Sequence, residues 1–475
     1  MTLFVEKLML VIIALISALL LLVFLIYSNT KTVASTSQTK MVGKRNQEFI
    51  EIPVNCTRFE KGLDRLMESI SSFRETVNCA GAIDGKNTTI VEAAEKWTFD
   101  PKQFAESITK QSDRCQAIKD TFAFIDVPLS REELDYPLAY GLLVHNDAEQ
   151  IMFLLSSIYQ PQNQYCIAIS ATASAEFQDA MFDLMECFPN IYVMLTKPVG
   201  WCQHSVLQGV LQCVNYLTRL KASWKYYQYL SGVDLPLKTN LEMVRIFKKL
   251  NGSFNAGIYD LDSHRFREDR EAPLPLWKSS LSATFSRQSA EFMVHNPKVK
   301  ELYEYLKGTH CPDETFWATI AGNPEKLAMP GGFDANLWKQ KLTGEWDNLY
   351  ATNKTVRLTA IAGFELFKPE KYYISRYQIW WGDACYGTFT GGSCVYGIKD
   401  LNTLVSRPEL VAHKLYFSVQ PATYFCLYEH VRRRALQGDG DFDVDAYAEL
   451  PGPKILSGAP FEEVLFNAPQ GWKYY

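Results

Sequence analysis

"YPLAYGLLVHNDAEQIMFLLSSIYQPQNQYCIAIS", Tyr136 to Ser170, carries the reading of the fold. Its first ten residues, Tyr136–His145, form an apolar run that predicts a buried strand. Ile151, Leu154, Leu155 and Ile158 follow at i, i+3, i+4 and i+7, the spacing of one helix face. Gln164–Ser170 returns to strand. The same alternation continues beyond it. A helical run reaches Cys187, "NIYVMLT" reads as a third strand, and Ser205–Lys221 is a long amphipathic helix. "WKYYQYL" (Trp224–Leu230) is a fourth strand, and "TNLEMVRIFKKL" a helix that Thr239 can cap. Strands alternating with helices of this length predict an α/β, Rossmann-type parallel sheet covered on both faces. Ligands of such sheets bind at the carboxyl ends of the strands. His145, Asp147, Ser170 and Asp234 fall at those ends.

The flanks place this unit in the cell. Leu8–Tyr27 is twenty residues without a charge, the ~20 that span a bilayer as a helix. It reads as an uncleaved signal anchor behind a short cytoplasmic tail, residues 1–7, and before a polar stem, 28–50. Residues 51–130 show mixed helical patterning, 131–435 form the main α/β unit, and 436–475 an extension. Basic residues after the span favour a cytosolic bulk by the positive-inside rule. Eleven cysteines and sequons at Asn55, Asn87, Asn251 and Asn353 favour a lumen. A net charge of -5 and a pI of 5.9 argue against nucleic acid as a partner.

Few short motifs carry chemistry. Asp260-Leu-Asp262 has the DxD form that holds a metal against a nucleotide diphosphate, though solvated turn acids have the same spelling. "VRRRALQ" (Val431–Gln437) reads as a solvated helix end rather than a phosphate site. Asp439, Asp441, Asp443 and Asp445 mimic a calcium loop, but Val444 and Leu450 occupy its glycine and glutamate positions, which excludes an EF-hand. There is no GxGxxG, Walker loop, HExxH, GxSxG or CxxC. Asp313-Glu314 stands between Pro312 and Phe316-Trp317. Two acids at a helix start favour the helix dipole.

Several ordered segments together resemble the core-2/I-branching β-1,6-N-acetylglucosaminyltransferase family, which also includes the peptide xylosyltransferases. They are the opening stretch, "CFPNIYV" at 187, "GVLQCVNYL" at 209, "WKYYQYLSGVDLPLKTNLEMV" at 224, "CPDETFWATI" at 311, "PGGF" at 330 and "CVYGIKDLNTL" at 394. The resemblance covers roughly 110–430 and the "NCTRF" patch at 55.

That resemblance implies a single-pass type II Golgi membrane protein, anchored through 8–27, with a lumenal GT-A-like domain that transfers a sugar from a UDP donor with inversion. It implies disulfides Cys56–Cys426, Cys115–Cys187, Cys166–Cys213 and Cys385–Cys394. Cys79, Cys202 and Cys311 are then left over, an odd number, so one is free or joins a second chain in a homodimer. Glu314 takes the position of the family's general base, Asp313 caps or orients, and the neighbouring Phe316 and Trp317 would then suit a sugar face. Lys414 and an arginine answer the departing diphosphate in place of a metal, so no metal cofactor is expected; Asp260 and Asp262 are the alternative. The arginine position is Gly391 here, with Arg376, Lys399 or Arg407 as substitutes and Arg376 preferred. His145 keeps a donor contact, whereas Ser170 replaces the family aspartate near the uridine. The segment after "KTNLE" that would bind acceptor is not recognisable. The expected substrates are UDP-N-acetylglucosamine and a glycan or glycoprotein hydroxyl. A protein O-xylosyltransferase and a non-catalytic, sugar-binding relative are the rival readings.

Overall fold

The computed structural model describes residues 56–109, 112–267, 269–352, 372–438 and 443–466, with 469 and 472. The expected anchor, the stem, and the sequons at Asn55 and Asn353 lie outside the described residues. Among the described residues no helix is long and apolar enough to cross a membrane.

The alternating pattern becomes β1 (Leu138–Val144), β2 (Gln164–Ile169), β3 (Ile191–Leu195) and β4 (Tyr226–Ser231). They pair in parallel in the order β3-β2-β1-β4. After β5 (Asp234–Pro236), which belongs to a second sheet, β6 (Thr284–Ser286) adds antiparallel to the β4 edge. The chain therefore moves outward from β1 to β3 and then returns to the other side of β1. This reversal puts the topological switch point between β1 and β4, where such sheets open a crevice.

Side chains separate the two faces with period 2. Leu138, Tyr140, Leu142 and Val144 enter one core with Tyr165, Ile167 and Ile169. Ala139, Cys166, Ala168, Tyr227 and Tyr229 enter the other. Helices Ala148–Ile158 and Ala175–Cys187 cover the first face, and His204–Arg219 the second. Gly141 is required in β1: a Cβ there would meet the Tyr227 hydroxyl at 2.1 Å. Thr239 caps helix Asn240–Leu250 in a reciprocal capping box with Glu242.

The smaller sheet runs β5-β10-β7, with β7 (Tyr377–Gln378) and β10 (Val411–His413). A hairpin of β8 (Thr388–Thr390) and β9 (Ser393–Val395) stands between them in sequence. Residues from 56 onward pack into the first core: Phe59, Leu63, Leu66 and Phe73 share it with Phe425 and Tyr428 of helix Pro421–Gln437. At the other end Val464 and Phe466 join the second core beside Trp338 and Tyr372.

Two expectations are corrected here. Cys426 bonds Cys79, not Cys56, and Cys56 is the free cysteine among the described residues. Cys79 opens helix Cys79–Asp84, which packs on helix Pro421–Gln437 and brings its Cα to 5.1 Å from that of Cys426; the helix that Cys56 opens packs on Pro421–Gln437 too, but Cys56 itself is left half-buried and unbonded. Cys202 bonds Cys311, and the remaining bonds are Cys115–Cys187, Cys166–Cys213 and Cys385–Cys394. The arginine triplet is not a solvated helix end either. Arg432 is fully buried and donates to the carbonyls of Ser156 and Ala123; Arg433 pairs with Glu429 and Asp64, and Arg434 with Glu242. The helix packs among other elements, so Arg432 satisfies buried carbonyls while Arg433 and Arg434 pair with acids of their own helix, of the first N-terminal helix and of helix Asn240–Leu250.

Candidate active site

Asp313 and Glu314 do open a helix, Asp313–Ala321, and occupy its first turn. Their environments differ sharply. Asp313 is 7% exposed and one carboxylate oxygen has no hydrogen-bond partner among the described residues. Burial first, and the neighbouring Glu314 charge second, push its pKa up to about 7. The Glu314 side chain is 32% exposed and accepts an ion pair from Arg265 Nη2 at 2.9 Å. Of the two acids, Glu314 is the one a substrate can reach.

The helix start is held from two sides. Ser279 donates its amide to the Glu314 carbonyl, and the Trp317 indole donates to the Leu281 carbonyl. Cys311, three residues before Glu314, accepts the Glu314 amide and is bonded to Cys202 in the loop after β3. Phe316 and Trp317 are fully buried in the second core. They are packing residues, which corrects the expectation that they face a sugar: both point down the helix into the core, while Glu314 points out.

Arg265 was not legible in the sequence. It follows Asp262 in a single helical turn, Ser263–Arg265, and is 8% exposed. Among the described residues its Nε and Nη1 have no hydrogen-bond partner, and its Nε lies 3.4 Å from Asp262. The DxD acids do not converge. Asp260 pairs with Lys339, and Asp262 lies near Lys278 and Arg265.

The residues expected on the donor side lie past the ends of β1, β2 and β10. Ser170 donates its amide to Val144, next to His145, which is exposed just past β1. The Ser170 hydroxyl accepts the Val199 amide at 3.1 Å and meets Thr172, so it braces the β3 loop. Past β4, Asp234 is fully buried and pairs with His413 Nδ1 at 2.6 Å across the β5–β10 register. Burial alone would raise the Asp234 pKa, but the Arg376 and His413 interactions and the Ser231 amide outweigh it and hold it low. Burial and Arg376 push His413 down to about 4. His413 is thus a neutral ring donating to an ionised Asp234.

Lys414 follows His413. Its ammonium donates to the Thr390 carbonyl at 2.7 Å, and burial lowers its pKa. Gly391 is the residue after Thr390. Gly391 and Gly392 have φ of 58° and 76°, and Thr390 pairs with Ser393 across them, so the two glycines form the tight hairpin turn that needs positive φ twice. An arginine is disfavoured at 391 by the backbone, yet the position lies beside Lys414. Of the three substitute cations, Lys399 pairs with Glu95 and Arg407 pairs with the buried Glu409. Arg376 is 7% exposed, its Nε has no partner among the described residues, and its charge acts on Asp234, His413 and Asp313 together.

A sequence model of the Core-2/I-Branching enzyme family matches residues 138–369. A beta-1,3-galactosyl-O-glycosyl-glycoprotein beta-1,6-N-acetylglucosaminyltransferase of Bos taurus is 32% identical over 342 residues, 66% of this chain and 74% of that protein. The chain belongs to the core-2/I-branching enzyme family. Its similarity extends to a Homo sapiens protein of the same name, 29% identical over 387 residues, 76% of this chain and 86% of the other. A form 3 enzyme of that name from Ovis aries is 29% identical over 394 residues, 77% of this chain and 84% of its own. The family match spans both the sheet that ends at His145 and Ser170 and the helix that carries Glu314.

Proposed function

We propose that this glycosyltransferase adds N-acetylglucosamine from UDP-N-acetylglucosamine, in β-1,6 linkage, to a β-1,3-galactosyl-O-glycosyl acceptor, branching an O-glycan. The observation that carries the reading is the asymmetry of the acid pair. Asp313 is sealed, whereas Glu314 is accessible and oriented by Arg265.

In the proposed reaction the acceptor hydroxyl oxygen attacks the anomeric carbon of the donor. The carbon–oxygen bond to the diphosphate breaks, UDP leaves, and the hydroxyl proton passes to the Glu314 carboxylate. Inversion follows from a single displacement. Lys414, with Arg376 behind it, answers the charge that develops on the diphosphate. His145 lies at the donor end of the crevice. The divergent pairing of Asp260 and Asp262 supports the metal-free scheme over one that uses the DxD acids. A lumenal domain on a Golgi membrane anchor fits five disulfides and the exposed sequon asparagines Asn87 and Asn251.

The test is transfer by the secreted lumenal domain from UDP-N-acetylglucosamine, UDP-xylose and other UDP-sugars, with excess EDTA and without. Product from UDP-N-acetylglucosamine that persists in EDTA, and falls ~10²–10⁴-fold in Glu314→Gln with UDP binding retained, is the expected result. A preference for UDP-xylose with a serine acceptor would transfer the reading to the xylosyltransferases. No transfer and no UDP affinity would leave a non-catalytic relative.

A further inference from the structure

Trp381 is 80% exposed, although a tryptophan side chain gains much from burial. Its backbone is firmly held. The Trp381 amide donates to Gly392, the Cys394 amide to Ile379, Trp380 bridges Ser393, and Cys385–Cys394 closes the ribbon. The indole rests against Phe389, with ring centroids 5.6 Å apart and planes tilted 39°. Tyr386, 55% exposed, lies on the same loop. This ribbon also reaches the donor cation: the Thr390 carbonyl holds the Lys414 ammonium, and among the described residues no heavy atom other than those of its chain neighbours lies within 4 Å of the point where a Gly391 Cβ would stand. An exposed aromatic face on a braced backbone, with open space and the reaction's cation beside it, is a preordered contact surface. Binding there immobilises little chain.

We propose that Trp381 is the floor of a carbohydrate subsite that takes a sugar ring of the acceptor glycan beyond the disaccharide that receives the transfer. The proposal rests on the transferase reading above. An indole offers a flat apolar face of the size of a pyranose, and the carbon-bound hydrogens of a hexose pack on it while its hydroxyls remain in water. The occupant is the acceptor rather than the donor for a physical reason. The donor's reacting carbon must be shielded from water, and a side chain this exposed shields nothing. A glycan chain entering from solvent requires no such enclosure. The neighbouring Tyr386 lengthens the aromatic strip beyond one ring.

Trp381→Ala and Trp381→Phe test this against a disaccharide acceptor and an extended oligosaccharide with the same reacting end. Trp381→Ala should raise KM for the extended acceptor about 3–10-fold, the scale of one lost ring contact, with kcat, UDP binding and KM for the disaccharide unchanged. Trp381→Phe should recover most of the affinity. Equal effects on both acceptors, an effect on KM for the UDP-sugar alone, or no effect would overturn the subsite. Calorimetric titration of the extended glycan into Glu314→Gln, with and without Trp381→Ala, reads the same contact without transfer. If the wild type fails to transfer yet binds the glycan through Trp381, the transferase reading fails and the subsite stands. Loss of both leaves neither.

Discussion

Replacing Asp313 by asparagine should make the protein more stable, and by an amount that grows with pH. Asp313 has a pKa raised from 3.8 to about 7 in the fold, by burial and by Glu314. Below about pH 4 the folded and unfolded chains both hold its proton. Between about 4 and 7 only the folded chain does, so unfolding releases a proton and stability falls as pH rises. Above about 7 neither form holds it and the dependence flattens. The interval is about three units, worth roughly 4 kcal/mol at ~1.36 kcal/mol per unit. Asparagine is nearly isosteric and carries no charge, so Asp313→Asn avoids the loss. It forgoes a helix-dipole interaction of only ~0.3–1 kcal/mol. Thermal unfolding of both proteins at pH 5 and pH 8 should show the variant gaining on the wild type at the higher pH. Adding Glu314→Gln removes the second cause of the shift and should shrink that gain. A difference between variant and wild type that is constant from pH 5 to pH 8 would refute the buried-acid account and restore the simple reading of both acids as a helix start.

Three further outcomes follow from the same geometry. Arg265→Met frees the Glu314 carboxylate from its ion pair, and kcat should fall ~10–100-fold through misplacement of the base, with UDP affinity unchanged; an unchanged kcat would make that pair incidental. Peptide mapping without reduction should recover Cys79 joined to Cys426. Cys56 should be the cysteine that alkylates, slowly at neutral pH, because burial and Glu60 raise its thiol pKa; a Cys56–Cys426 peptide would contradict the fold at that end. Gly391→Arg restores the family cation in a turn that needs positive φ, and should lower stability by ~1–2 kcal/mol without raising transfer. A gain in UDP affinity at unchanged melting temperature would show that the backbone is not what excludes arginine.

Much of the fold was legible from residues 136–250, because strand and helix periods are local properties of the chain. β1 to β4, their helices and the Thr239 cap lie where the alternation and spacing put them. Glu314 and Lys414 were singled out only through the family resemblance; what the structure adds is that Glu314 is the accessible acid of its pair and that Lys414 reaches the Thr390 carbonyl. Local pattern does not specify which distant groups meet. The resemblance implied Cys56 as the partner of Cys426; the helices of Cys56 and Cys79 both pack on helix Pro421–Gln437, and it is the placement of Cys79, its Cα 5.1 Å from that of Cys426, that decides the bond. Phe316 and Trp317 read as a sugar face until the helix orientation turns them into the core. Arg265 sits in a stretch with no recognisable pattern and meets Glu314 across 49 residues of chain. His413 meets Asp234 because two short strands happen to align in register. The sealed state of Asp313 likewise depends on neighbours from separate segments, since desolvation sums over everything that surrounds a charge. Periodicity therefore located the elements from sequence alone; pairing, burial and the resulting electrostatics came only with the tertiary structure, because they are properties of contacts between segments far apart in the chain.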